Sequence, residues 1–331
     1  MVPFMTLSPT LVTGATGLVG NNVVRQLLSR GWSVRVLARD GADPRPLAGL
    51  DVEIFRGDIR RPETLSSACS GAGAVIHAAG YVHLGRTGLD LQRAINVEGT
   101  RNVARTARQA GARMVHISSC DAAGIGPVGA PADEDTPLAD PRGCTYAISK
   151  REAEQAVHEE IGKGLDAVIV NPGFMLGPWD WKPSSGRMLL EVARGRGLLA
   201  PHGWFSVCDV RDVASGIISA AERGARGRRY LMAGENTTYL AAWRLFARVS
   251  GGRRPWMTAG PAMLFLAGRG GDLAARLSGR ESDVNSAAIA YARLPKNYTS
   301  RRAREELGYA SRPLEETVRD AWAWFKDNGY A

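Results

Sequence analysis

The sequence has few of the features that mark a secreted or metal-binding protein. Its four cysteines lie far apart and form neither a CxxC pair nor a metal-ligand spacing. Residues 1–9 lack the basic and apolar regions of a secretion signal, and no internal repeat or low-complexity segment is present. We therefore expect a cytoplasmic globular protein with free buried thiols and no metal site.

Long apolar runs are also missing. The longest, residues 259–267, falls well short of the roughly 20 residues that a membrane span needs. No transmembrane segment is expected. The run fits either a buried helix or a peripheral membrane contact, and we favour the buried helix.

Lysine is scarce and arginine is abundant. The 42 basic residues include only five lysines, and the net charge is +9. The arginines are scattered and do not form a stripe interleaved with aromatic residues, so the charge does not indicate nucleic-acid binding. Guanidinium groups suit phosphate and carboxylate recognition, which is compatible with an anionic cofactor.

The first half of the 331 residues alternates β-branched runs with helical stretches, the pattern of a parallel sheet flanked by helices. Strands are predicted at 10–13, 34–37, 52–55, 74–77, 114–118 and 167–171, and helices at 18–30, 62–68, 89–109 and 145–161. The fold class is therefore α/β, a doubly wound parallel Rossmann sheet with a smaller, mainly helical C-terminal substrate domain.

The domain boundary is predicted after Pro172, where glycine, proline and tryptophan become frequent. Residues 1–172 would form the dinucleotide-binding domain, and residues 173–204 and 222–331 the substrate domain. Residues 205–221 look like a strand followed by a helix and are expected to return to the first domain.

The first strand leads into three glycines spaced three apart, and an amphipathic helix follows. This spacing allows a tight turn, a close backbone approach to a pyrophosphate and close packing of helix on strand. The amides and the positive end of the helix then face the phosphates. The candidate contacts are Gly14, Thr16, Gly17, Leu18, Val19 and Gly20.

The end of the second strand indicates the type of nicotinamide cofactor. An acidic side chain there would bind the ribose 2'-hydroxyl and repel a 2'-phosphate, but the sequence has Ala38 followed by Arg39. A small residue and a guanidinium favour NADP, with Arg45 as a candidate second contact. NAD stays open as the alternative, because a small register error would put Asp40 at the deciding position.

Two later strand ends add candidate cofactor contacts. Asp58, followed by Ile59, could meet the adenine amino group or cap the turn at Pro62. His77 by itself is typical of an ordinary strand-end histidine. The small residues after it would let a cofactor lie close, and they are Ala78, Ala79 and Gly80.

Tyr146 and Lys150 are four residues apart in a helical segment and therefore share a face. A tyrosine with its normal pKa near 10 is a poor acid or base at neutral pH, and a nearby ammonium would lower that pKa. The pair follows the fifth predicted strand, which ends at Ser118 and Ser119. This arrangement indicates a general acid/base.

Together these motifs resemble the extended short-chain dehydrogenase/reductase family, which includes NAD-dependent epimerase/dehydratases and dihydroflavonol reductase-like enzymes. The resemblance covers nearly the whole chain, through the late segment 299–309. It is carried by the glycine loop, His77-Ala78-Ala79, Asn96, Ser119, Tyr146, Lys150 and Glu306-Leu307-Gly308-Tyr309.

The resemblance implies that Tyr146 transfers the proton at the reacting oxygen, while Lys150 lowers its pKa and holds the nicotinamide ribose. It implies that Ser119 hydrogen-bonds the carbonyl, with Ser118 as the alternative. Asn96 would kink its helix or relay a proton beside the cofactor, or it is an ordinary helix residue. The strand-end segment Asn171-Pro172-Gly173 would lie beside the nicotinamide amide, and a homodimer through helices of the first domain is implied.

Two reactions fit this set of residues: reduction of a carbonyl by NADPH, and epimerisation of a nucleotide sugar. Phe174 replaces the asparagine of the Arg-x-x-Asn run that is common in the sugar-nucleotide members. We therefore favour an apolar carbonyl substrate over a sugar nucleotide. The residues that would line the pocket, or pack the domain junction, are Phe174, Met175 and Trp179. Asp121 could touch substrate or only cap its loop.

A non-catalytic cofactor sensor is a third hypothesis, but such proteins usually lack the Tyr-x-x-x-Lys pair.

Overall fold

A computed structural model describes residues 8–127, 129–278, 281 and 284–331. Residues 1–7, which belong to the stretch where no secretion signal is expected, lie outside the described residues. The main element is a sheet of seven parallel strands in the order β3-β2-β1-β4-β5-β6-β10. Its strands are β1 (Thr10–Thr13), β2 (Val34–Ala38), β3 (Glu53–Arg56), β4 (Ala74–His77), β5 (Arg113–Ile117), β6 (Ala167–Pro172) and β10 (Arg229–Met232).

Helices cover both faces of this sheet. Since side chains alternate between the two faces along each strand, each strand contributes to two cores. Val12 packs into the core under α1 (Leu18–Ser29) and α7 (Val210–Arg223). Its neighbour Leu11 packs into the opposite core, with side chains from the remaining helices of the sheet. Those helices are α2 (Ser66–Cys69), α4 (Gly99–Gln109) and α5 (Thr145–Gly162). The predicted doubly wound Rossmann sheet is confirmed.

A second layer of strands and helices is built around its own core. Its three-stranded sheet consists of β7 (Phe174–Leu176), β9 (Trp204–Asp209) and β11 (Glu235–Thr238), and a two-stranded pair joins β8 (Leu199–Ala200) to β12 (Met257–Thr258). The helices packed in this core are α6 (Gly186–Ala193), α8 (Tyr239–Ser250) and α12 (Leu314–Asp327). The other described α-helices are α3 (Leu89–Gln92), α9 (Pro261–Ser278), α10 (Ser286–Ala292) and α11 (Arg301–Leu307).

The chain crosses between the layers at points that differ in part from the expected boundaries. Strand β9 pairs with β7 and β11 in the small sheet, whereas α7, which follows it, packs on α1 of the large sheet. Strand β10, from the stretch 222–331 assigned to the substrate domain, pairs with β6 and completes the large sheet. Periodicity identifies a strand but does not say which sheet it joins.

The apolar run 259–267 contributes to α9, but the expectation that this helix is buried is wrong. Gly268 is the one residue of α9 that is buried, and most of the apolar side chains are exposed. Within the described part of the chain, none of the helices combines the length and apolar character needed to cross a membrane.

Candidate active site

The turn between β1 and α1 brings the backbone close to the end of β4. Gly14 has a φ of +71°, and a Cβ atom there would lie 2.5 Å from the amide nitrogen of Ala79. A Cβ atom at Gly20 would lie 2.3 Å from the carbonyl oxygen of Gly14. Any side chain at either position would therefore displace the loop.

The N-terminus of α1 is open to an anion. Gly17 precedes the helix, no described side chain caps it, and its first turn has no acidic residue. Leu18 and Val19 are partly exposed, as is Thr16. Unpaired amides at the positive end of a helix bind phosphate, so the residues present fit a dinucleotide pyrophosphate.

The ends of β2 and β3 form the neighbouring edge. Ala38 is buried, whereas Arg39 and Asp40 are both exposed. The carboxylate of Asp58 accepts hydrogen bonds from the guanidinium and the backbone amide of Arg60, and these bonds hold its pKa below the usual value. The Asp58 carboxylate therefore holds Arg60 and does not cap the turn at Pro62, while an adenine contact stays a prediction.

Ile59 and Arg45 are also engaged within the protein. The Ile59 side chain packs in the core beneath Gly99. The Arg45 guanidinium pairs with Asp43. At this edge Arg39 and Arg56 both lack an ion pair within the described part of the chain, and the Arg56 guanidinium donates to the Arg39 carbonyl.

His77 is a structural residue at the end of β4. Its ring is fully buried and bonds Thr13 at 2.7 Å and Thr100 at 3.0 Å. Burial lowers its pKa to about 3, and nearby Lys150 contributes to the shift. The ring therefore stays neutral and ties β4 to β1 and α4.

Asn96 lies where the helix loses its regular form. The segment Arg93–Glu98 is a π-helix between α3 (Leu89–Gln92) and α4. The Asn96 amide accepts from the Tyr81 backbone N–H at 2.7 Å, and donates to the Tyr81 carbonyl and to Ser149 Oγ. A Cβ at Gly80 would lie 3.4 Å from Asn96 Oδ1, so these residues meet in one place.

The two serines after β5 have different partners. Ser118 Oγ donates to the buried Glu154 carboxylate at 2.5 Å. Ser119 Oγ accepts from the Asp121 backbone N–H at 3.1 Å and lies 3.4 Å from Asp121 Oδ2, and the Ser119 hydroxyl lies near enough to the Tyr146 phenol to lower its pKa. The structure thus groups Tyr146 with Ser119 and leaves Ser118 to Glu154.

Lys150 is buried one turn further along α5. Its Nζ donates to the Ile117 carbonyl at 2.9 Å and would lie 3.8 Å from a Cβ at Gly80. Burial lowers the pKa of Lys150 to about 8, against the opposing effect of Glu154 and Asp121. The ammonium can therefore lose and regain a proton near neutral pH.

The pKa of Tyr146 differs from the sequence-based expectation. Burial raises the pKa above the normal value, the Asp121 carboxylate raises it further, and the nearby Ser119 hydroxyl opposes them. The expected lowering by Lys150 is not found, because the nearby charge that acts on the phenol is a carboxylate. The phenol therefore carries its proton at neutral pH.

Asp121 is held by two residues that sequence reasoning missed. Its Oδ1 accepts from the Tyr291 hydroxyl at 2.9 Å and lies 3.4 Å from Lys296 Nζ. Burial alone would lower the pKa of Lys296, but Asp121 and Tyr239 outweigh it and raise the pKa. Asp121 and Lys296 thus form a partly buried ion pair beside Ser119. No local motif marks Tyr291 or Lys296.

The segment at the end of β6 contains four of the residues predicted to contact cofactor or substrate. Gly173 approaches the Ser206 backbone, since a Cβ there would lie 2.7 Å from its carbonyl oxygen. Phe174 and Met175 are half-buried in β7 and pair with β9. Pro172 ends β6.

Trp179 lies at the junction between α1 and α12. The guanidinium of Arg25 stacks on its ring, 3.3 Å from the centroid, and the ring contacts Trp181 and Trp324. Its φ of +71° is unusual for a bulky residue, and these contacts hold it. The structure does not bring Trp179 together with Ser119 and Tyr146.

A parallel Rossmann sheet with a glycine loop at the N-terminus of its first helix is typical of dinucleotide-binding proteins. The model of the NAD dependent epimerase/dehydratase family matches residues 10–233. The chain belongs to this family, and the predicted membership is confirmed.

The relatives span almost the whole chain. Sterol demethylase protein B of Methylococcus capsulatus is 37% identical over 326 residues, 97% of this chain and 99% of the relative. A putative dihydroflavonol 4-reductase of Synechocystis is 33% identical, over 96% of this chain and 95% of the relative. The solved structure of a nucleoside-diphosphate-sugar epimerase from Pseudomonas aeruginosa is 27% identical with a TM-score of 0.80, covering 98% of this chain and 99% of that one. Together these matches support an NAD(P)-dependent oxidoreductase.

Proposed function

We propose that the protein is an NADPH-dependent reductase that converts a carbonyl group of a largely apolar substrate to an alcohol. The observation that carries the proposal is the buried phenol of Tyr146, which lies beside Ser119 and keeps its proton because burial and Asp121 raise its pKa. Reduction needs an acid that already holds its proton, whereas oxidation of an alcohol needs the phenolate.

Tyr146, Ser119 and Lys150 have separate roles in the proposed reduction. The nicotinamide, when bound, supplies the hydride that the carbonyl carbon gains. Tyr146 donates its phenolic proton to the carbonyl oxygen, and Ser119 donates a hydrogen bond to the same oxygen. Lys150, with a pKa of about 8, returns a proton to the phenolate and is itself reloaded from solvent.

The choice of NADPH rests on the edge formed by β2. Arg39 is exposed beside buried Ala38, and its charge also acts on Asp58. A free guanidinium at this position suits a 2'-phosphate. NADH is the alternative, and titration of wild type and Arg39→Asp with each cofactor decides between them.

The substrate class rests on the pocket side chains. Phe174 and Met175 supply apolar surface, and the Asp121–Lys296 pair supplies one polar group. The names of the relatives, a sterol demethylase protein and a putative dihydroflavonol 4-reductase, fit a largely hydrocarbon or aromatic substrate. We also propose that the protein forms a homodimer through helices of the first domain.

Epimerisation of a nucleotide sugar is the second candidate. The Pseudomonas aeruginosa structure favours it, since the two chains share a fold over nearly their whole length. The position of Phe174 opposes it, because a sugar-diphosphate site needs polar groups there.

The test is to assay purified wild type and Tyr146→Phe with a panel of carbonyl compounds, following NADPH oxidation, and with UDP-sugars, following epimerisation. We expect wild type to oxidise NADPH with an apolar ketone or aldehyde. The variant should bind NADPH normally and lose at least about a hundredfold in turnover, since it lacks the acid. Near-normal turnover of the variant would reject the mechanism. Epimerisation without NADPH oxidation would establish the second candidate.

A further inference from the structure

The exposed face of α9 is apolar over several turns. Met263, Leu266, Leu273 and Leu277 follow one another at spacings of three, seven and four, which places them on one side of the helix. Their exposed fractions are 51%, 69%, 57% and 82%. A soluble protein rarely leaves such a stripe without a partner.

The residues around this stripe extend it. Phe265, next to Leu266, is 61% exposed, and Trp256 and Met257 are 73% and 60% exposed just before the helix. Aromatic side chains of this kind favour the boundary between lipid and water. Residues 253–278 thus present one apolar segment, which we name the α9 surface.

The charge of the α9 surface is almost entirely positive. It contains four arginines and a single acidic residue, Asp272. The Asp272 carboxylate accepts from the Ser286 backbone N–H at 3.0 Å, so it faces α10. Arg269 and Arg276 are exposed, and neither forms an ion pair with a carboxylate in the described ranges. An exposed apolar helix edged by arginine is the pattern of a helix that lies on a membrane.

We propose that the α9 surface binds an anionic lipid bilayer, with α9 parallel to the membrane plane and its arginines among the headgroups. A second copy of the chain fits less well. A two-fold interface would put the arginines of one copy against those of the other, with too few acidic partners. Anionic headgroups supply the complementary charge.

The proposed surface adjoins the candidate active site. A cavity of about 760 Å³ lies between α9 and α10, lined in part by Phe265, Ile289 and Arg293. On α10, Tyr291 donates to Asp121. One helix therefore separates the membrane-facing residues from the polar group beside Ser119. If the proposed function holds, an apolar substrate dissolved in the bilayer would have a short path to the site.

The test is cosedimentation of the full chain with phosphatidylcholine vesicles, with and without phosphatidylglycerol, at low and high salt. We expect binding to the phosphatidylglycerol vesicles, weakening as salt rises because the charges become screened. Leu273→Glu should reduce the bound fraction at least about tenfold, since it places a charge where the bilayer would cover an apolar side chain. Leu138→Glu is the matched control, because Leu138 is also 57% exposed but lies in a loop outside the α9 surface. It should bind like wild type.

The outcomes separate the alternatives. Absence of wild-type binding to phosphatidylglycerol vesicles, or equal loss in both leucine variants, overturns the proposal. The proposal is also overturned if the protein does not bind vesicles but forms a dimer in light scattering that Leu273→Glu dissociates. That result would identify a second copy as the partner. NADPH turnover on a water-soluble carbonyl probe tests the proposed function separately, since Leu273 is not in the site.

Discussion

At the scale of single residues, neighbouring side chains in this site have opposite surroundings. Ser118 and Ser119 point to different sides because successive residues of an extended chain alternate. Ser118 satisfies Glu154, which also accepts from Asn171 and Arg229. Ser119 lies with Tyr146 and Asp121. The first serine therefore belongs to the buried network, and the second faces the chemistry.

This difference predicts opposite effects of two similar substitutions. Ser119→Ala should lower kcat by about a hundredfold, because the carbonyl oxygen loses a donor. Ser118→Ala should leave kcat within a few-fold but lower the free energy of unfolding by about 1–3 kcal/mol, because Glu154 loses a buried donor. Steady-state kinetics and urea unfolding of both variants make the comparison. A larger loss of kcat in Ser118→Ala would reverse the assignment.

The cofactor preference can also be tested at one residue. Arg39→Asp should weaken NADPH binding at least about tenfold relative to NADH, because a carboxylate repels the 2'-phosphate and accepts from a 2'-hydroxyl. Titration of each cofactor by fluorescence gives the ratio. Arg105→Asp makes the same charge change at another exposed site, on α4, and should leave the ratio unchanged. An unchanged ratio in Arg39→Asp would reject NADPH as the preferred cofactor.

At the scale of elements, the site depends on two places where regular structure is interrupted. The β1–α1 turn needs Gly14 because the end of β4 fills the space where a side chain would stand. The π-helical segment 93–98 turns Asn96 toward Tyr81 and Ser149. Both interruptions bring backbone from different elements to the same edge of the sheet, where the cofactor is proposed to bind.

Substitutions at two glycines can distinguish the effect of close packing from the effect of backbone conformation. Gly14 and Gly31 have φ values of +71° and +76°, but only Gly14 has neighbours within 4 Å of its Cβ position. Gly31→Ala should cost about 1–2 kcal/mol of stability, the cost of a left-handed alanine, and keep cofactor affinity. Gly14→Ala should also weaken cofactor binding by about tenfold or more, because the loop must move. Thermal unfolding and cofactor titration distinguish them, and equal affinities would show that the loop tolerates the shift.

At the scale of the whole molecule, partly buried ion pairs join the two layers. Arg312, just before α12, pairs with Asp212 of α7, and Arg211 pairs with both Asp209 and Asp320. The Arg25–Trp179 contact joins α1 to the aromatic cluster of α12. Asp180 lies beside this cluster, 2% exposed, and accepts from the Ser184 and Gly186 amides. Burial raises its pKa to about 6, against the effect of those amides.

This raised pKa predicts how stability changes with pH. The folded state holds the Asp180 proton more tightly than the unfolded chain does. The contribution of this carboxyl group to the free energy of unfolding is therefore complete below pH about 4 and is lost as pH rises through about 6. Asp180→Asn keeps the neutral form at every pH. Its free energy of unfolding relative to wild type should rise by about 3 kcal/mol across this window and then stay constant.

The measurement is urea unfolding of both proteins from pH 4 to 7. Asp51→Asn, at an exposed position, is the control and should run parallel to wild type. Parallel curves for Asp180→Asn as well would show that the buried carboxyl is not the group that titrates.

The sequence by itself determined the features that depend on local spacing. Strand β1 and the glycine loop follow from a short apolar run and glycines three apart, and Tyr146 and Lys150 share a face because a helix repeats every 3.6 residues. The boundaries of the predicted strands therefore agree with the structure to within about a residue. Membership of the family follows from the same local motifs.

Only the tertiary structure decided which distant groups meet. Lys296 lies 175 residues after Asp121, and no periodicity links them. The joining of β10 to the large sheet, the capture of Ser118 by Glu154 and the exposure of α9 likewise depend on how elements pack. An apolar run has the same pattern whether it is buried or left on the surface, so its surroundings are settled only when the chain folds.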